Sequence, residues 1–136
     1  LELDNMIKMF TNDKKEQIEL YQFINNKLNP IIMKVKVYYD RVRPSYLEST
    51  IEPVINNPAH PAYPSGHATQ AYFMAYMLSN KYPENKKKYF KTAINITLNR
   101  ERGGFHYRSD SNYGKNIAKI IASNFTGENN FLINKL

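Results

Sequence analysis

Residues 66–80 constrain the fold more than any other stretch. Ala68, Ala71, Tyr72, Phe73, Ala75, Tyr76 and Leu78 make the segment apolar nearly all round. A surface helix carries an apolar stripe and a polar back, whereas a helix apolar on every side has to be surrounded. The segment therefore predicts a central buried helix with other helices packed about it. Its longest unbroken apolar run, Ala71 to Leu78, falls well short of the roughly 20 residues that cross a bilayer. No other stretch comes closer to a membrane span.

The rest of the chain reads as helices of ordinary length. Leu3, Ile7 and Phe10 suit one face of a first helix, and Thr11-Asn12-Asp13 reads as a break and cap. Ile18, Tyr21, Phe23, Ile24 and Leu28 give a second helix, expected to end at Asn29-Pro30. Residues 31–42 suit a helix or, on their β-branched content, a strand. Pro44, Pro53, Pro58, Pro61 and Pro64 mark a long ordered loop, and loops of that length in compact domains are usually functional. A fifth helix is expected over about 84–99, with Tyr89, Phe90, Ala93, Ile94, Thr97 and Leu98 in helical spacing and Gly103-Gly104 ending it. The last starts near Ser109 and carries Ile117, Ala118, Ile120, Ile121 and Phe125, with Gly127 after its end. The expectation is an all-α bundle of about five to six helices forming a single domain over residues 1–136, with 126–136 a peripheral tail.

The absence of cysteine excludes disulfides and thiolate metal sites but does not decide the compartment. Lys and Arg number 19 against 12 Asp and Glu, a net charge of +7 that favours acidic partners. Lys86 to Lys88 read as the solvated first turn of a helix. The chain begins at Leu1, and nothing in its first ten residues resembles a signal peptide. Localisation stays open, and so does homo-oligomerisation.

Three segments carry candidate chemistry. Ser65 is suited to cap the central helix and Gly66 to let backbone approach a ligand, at a helix start that attracts anions and sets His67 beside whatever binds there. Arg100, His106 and Asp110 form the second group. His and Asp four apart can meet, and a carboxylate on one ring nitrogen fixes the tautomer and makes the other nitrogen a better nucleophile. Arg102 and Arg108 compete for the role of Arg100. The third group is Lys36 with Arg43, a point charge and a planar fork for oxyanions, with Lys34 and Arg41 as alternatives. Taken singly, each segment is an ordinary turn or basic stretch.

Taken together, the order K-x6-R-P, P-S-G-H and R-x5-H-x3-D, from Lys36 to Asp110, resembles the signature of the type 2 phosphatidic acid phosphatase (PAP2) superfamily. That family includes class A acid phosphatases, lipid phosphatases and vanadium haloperoxidases. The resemblance implies an all-α bundle with its site in the core. It implies that His106 attacks phosphorus, that Asp110 orients it, and that His67 protonates the leaving alkoxide and then activates water. It also implies that Lys36, Arg43 and Arg100, helped by the Ser65 hydroxyl and the Gly66 N–H, hold the phosphoryl oxygens with no metal or other cofactor. The family usually has Ser before the third-motif arginine; here it is Asn99, which keeps a hydrogen-bonding group. The chain is short for the family.

The expected function is therefore a soluble phosphatase acting on a small phosphorylated substrate. A vanadate-dependent haloperoxidase is the alternative, because His60 stands seven residues before His67, where vanadium bromoperoxidases carry an additional histidine. A non-enzymatic module binding phosphate groups is a third reading. No nucleic-acid motif is present, and nucleic acid is not an expected partner.

Overall fold

The computed structural model describes residues 2–39, 65–104 and 106–126. Among these residues there is no strand. The described residues form six α-helices: α1 (Leu3–Phe10), α2 (Lys14–Phe23), α3 (Asn29–Tyr39), α4 (Gly66–Lys81), α5 (Lys86–Arg102) and α6 (Arg108–Thr126). The all-α expectation holds, and residues 29–39 are helix rather than strand. The proline loop, the Gly127 cap and the peripheral tail lie outside the described residues.

α4 is the centre, as its composition demands. Ala68, Phe73, Met74, Ala75 and Leu78 are wholly buried, and α5 and α6 flank the helix along its length. Phe23 of α2 stacks on Phe73 with ring centroids 5.3 Å apart and meets Phe125 of α6 edge-on at 4.8 Å. These ring pairs tie α2, α4 and α6 into one core. Asp13 caps α2 by accepting the Glu16 N–H at 3.0 Å, as the break at residues 11–13 predicts.

The second helix does not stop at Asn29-Pro30. It passes through one wide π turn, Ile24–Leu28, directly into α3. The Asn29 N–H reaches back five residues to the Ile24 carbonyl, and Pro30, which has no N–H to place, follows in the first turn of α3. The wide turn also phases the buried side. Leu20, Ile24, Leu28, Ile32 and Lys36 recur every four residues and are all buried.

Three apolar positions assigned to helix faces turn outward. Ile18 on α2, Ile94 on α5 and Ile120 on α6 are 58%, 45% and 61% exposed, and Tyr21 is exposed as well. On α5 the expected Tyr89, Ala93 and Thr97 are buried, joined by Ile96, and on α2 the buried face is set by Leu20. At about 100° per residue, Ile94 lies a quarter turn away from that line. Lys86 to Lys88 are exposed in the first turn of α5, as expected.

Candidate active site

α5 ends at Arg102 with Gly103 as its cap, and Gly104 takes a φ of 78° while its N–H bonds to the Glu101 carbonyl. Glycine adopts that left-handed geometry without strain, so the chain turns sharply from α5 into α6. The turn delivers His106 to the base of α6 and leaves Arg100 on the inward face of α5.

Asp110 organises the start of α6. Its Oδ2 accepts the Tyr107 N–H at 2.8 Å, the reach-back of a carboxylate in the first turn to the capping residue. The same Oδ2 lies 3.7 Å from His106 Nδ1, with both side chains buried. That separation is an ion-pair distance and is longer than a hydrogen bond.

The helix α4 starts against this group. The Ser65 N–H donates to the Asp110 carbonyl at 3.2 Å, and Ser65 Oγ accepts the Ala68 N–H, also at 3.2 Å. The Ser65 carbonyl takes the Thr69 N–H at 3.0 Å and the Thr69 hydroxyl at 2.8 Å. Ser65 is wholly buried as the cap of α4. The Lys36 stem packs beside Gly66, since a β-carbon on Gly66 would sit 3.7 Å from Lys36 Cε.

Beside these contacts lies an open cavity of about 300 Å³. Lys36, Gly66, His67, Arg100 and His106 line it, from three segments far apart in sequence. The competing cations are elsewhere. Lys34 and Arg102 are exposed, and Arg108 pairs on the surface with Glu101 at 3.1 Å. Asn99 is exposed on α5, where its carbonyl accepts the Gly103 N–H. Arg41, Arg43 and His60 lie outside the described residues. A wall with two cations, a helix start and two imidazoles suits an oxyanion. Among the described residues no group of carboxylates and imidazoles could hold a metal ion.

The family model of the PAP2 superfamily matches residues 20–125. The chain belongs to the PAP2 superfamily. No curated protein matches it by sequence. Among solved structures it is similar to a transmembrane PAP2-type phosphatidylglycerolphosphate phosphatase from Bacillus subtilis, with a TM-score of 0.56 and 21% identity over 90% of this chain. The chain spans 66% of that protein's length. At this identity the likeness is one of fold, and the fold is the PAP2 helical bundle. No described helix of the present chain is long and apolar enough to cross a membrane.

Within this PAP2 bundle the structure adds residues that the motifs do not name. A β-carbon on Gly114 would meet Thr69 Oγ1 at 2.8 Å, the Ser65 carbonyl at 3.0 Å and the Thr69 N at 3.2 Å. Gly114 therefore lets α6 dock on the start of α4, which sets His106 and Asp110 against Ser65 and His67. Its signal in the sequence is its position four residues after Asp110, on the same face. Asn29 and Gln70 also line the cavity.

Proposed function

We propose that this PAP2 member is a metal-independent phosphatase that hydrolyses phosphomonoesters, or related anhydrides, through a phosphohistidine intermediate. Its class, a phosphate-ester hydrolase, rests on family membership. The observation that carries the finer reading is the meeting of Lys36, His67, Arg100 and His106 on one cavity, with Asp110 buried behind His106.

The steps balance on those side chains. With Asp110 facing Nδ1, Nε2 of His106 attacks phosphorus as the bond to the leaving oxygen breaks, and protonated His67 gives its proton to that oxygen. Neutral His67 then takes a proton from water, which attacks phosphorus, breaks the P–N bond and releases inorganic phosphate. Lys36 and Arg100, with Arg43 in the same proposed role, neutralise the charge on the transferring oxygens. The Gly66 N–H at the free end of α4 adds a partial positive charge.

The test is hydrolysis of an aryl phosphate in the presence of a chelator. Turnover should proceed and vanadate should inhibit it, while vanadate with peroxide and bromide should give no bromination. A 32P-labelled substrate should leave an acid-labile label on wild-type protein and none on His106→Ala. Full turnover by His106→Ala would sink the scheme.

A further inference from the structure

Two neutral amides share the cavity wall with the charged groups. Gln70 Nε2 donates to Asn29 Oδ1 at 2.7 Å, joining α4 to the first residue of α3. Gln70 follows His67 by three residues, so the two share a face of α4. A bond between two primary amides uses one N–H and one oxygen lone pair. The pair keeps N–H donors on both side chains and an acceptor on Gln70 Oε1. Groups that both donate and accept, and carry no charge, match hydroxyls. Beside them the wall is apolar, formed by Leu3, Ile32 and Met33.

We propose that Asn29 and Gln70 form a leaving-group subsite that recognises a hydroxyl on the alcohol part of the substrate. The preferred esters are then phosphates of polyols rather than of plain alkyl alcohols. This rests on the phosphatase reading above, in which His67 protonates the leaving oxygen and so stands on the leaving-group side. The carbon skeleton lies against Leu3, Ile32 and Met33 while its hydroxyls face the amides. The mutual bond already holds both amides, so little side-chain freedom is left to lose when the substrate binds.

The experiment compares kcat/KM for glycerol 1-phosphate and propyl phosphate, which share a three-carbon skeleton, in wild type, Gln70→Met and Asn29→Leu. Both esters meet the same folded fraction of enzyme, so their ratio is insensitive to a loss of stability. Wild type should favour glycerol 1-phosphate by about tenfold. Each substitution should bring the ratio near unity, chiefly by slowing the glycerol ester. A wild-type ratio near unity, or a preference that survives both substitutions, overturns the subsite and leaves the phosphatase reading standing. Hydrolysis of neither ester overturns both.

Discussion

α4 has a buried charged cluster at each end, and the two are built differently. At its C-terminal end Glu16 of α2 accepts the Thr11 hydroxyl at 2.7 Å and the Tyr82 hydroxyl at 2.7 Å, and pairs with Lys81 at 2.8 Å. Burial alone would raise the Glu16 pKa, but Lys81, Thr11 and Tyr82 together outweigh it and hold the carboxyl below its ordinary value. Burial likewise opposes the charge on Lys81, and the Glu16 carboxylate raises it above the ordinary lysine value. At the N-terminal end, His106 and Asp110 stand 3.7 Å apart, and the charged groups open onto a cavity. A cluster closed by short contacts fastens helices together. A cluster that faces a cavity has room for a ligand to complete it.

Substitutions at the two ends should separate these roles. His106→Ala should lower turnover by at least about a thousandfold, with little change in melting temperature. Comparable activity in the variant would erase the contrast. Asp110→Asn should lower kcat by about a hundredfold or more through loss of the charge facing His106. It should also cost some stability, because the Tyr107 N–H then meets a weaker acceptor. Gly114→Ala presses on Thr69 and Ser65 and should destabilise the fold by about 1–3 kcal/mol. Its kcat should fall through displacement of α6, and adding Thr69→Ala should restore part of it. Additivity of the two substitutions would show that the contact does not place the site.

The smallest effect on chemistry is expected at the closed end. Glu16→Gln should leave turnover per folded molecule unchanged and lower stability by about 2 kcal/mol, or roughly 5–10 °C. The pH dependence has a definite sign. Folding depresses the Glu16 pKa, so its contribution is full above the unfolded value of 4.5 and is lost as pH falls through the folded value. Folding raises the Lys81 pKa, so that contribution is full below 10.5 and is lost at higher pH. The melting-temperature gap between wild type and Glu16→Gln should therefore be widest near neutrality and shrink as pH falls below 4.5. A gap that stays constant into acid would mean that the carboxylate is not the stabilising species.

The candidate site was legible only through the joint order of its three segments, from Lys36 to Asp110, and the structure shows that its residues also interrupt buried series. Lys36 ends the buried series Leu20, Ile24, Leu28, Ile32. His106 and Asp110 open the buried series that continues through Gly114, Ala118 and Ala122. A charged or glycine residue where a core residue is due points to a reason for burial other than packing. Glu16 is likewise buried four residues before Leu20, but its partners stand far apart in sequence, Thr11 just after α1 and Lys81 and Tyr82 at the end of α4, and no motif links them. Ile18, Ile94 and Ile120 misled for the opposite reason: hydrophobicity raises the odds of burial but does not set the phase of a helix.

The amino-acid pattern alone determined that the described part of the chain is helical, that the segment after Ser65 is its centre, and which three segments would carry the proposed phosphoryl chemistry. Local propensity, capping and spacing are properties of neighbouring residues, so they can be read along the chain. Tertiary structure decided which of several candidates faces the cavity. Lys36 enters and Lys34 does not, and Arg100 enters while Arg102 and Arg108 do not. That choice depends on the rotation of α3 and α5 about their axes. The rotation is set by the wide turn at Ile24–Leu28, the reversal at Gly104 and the close approach at Gly114, where helices distant in sequence pack against one another.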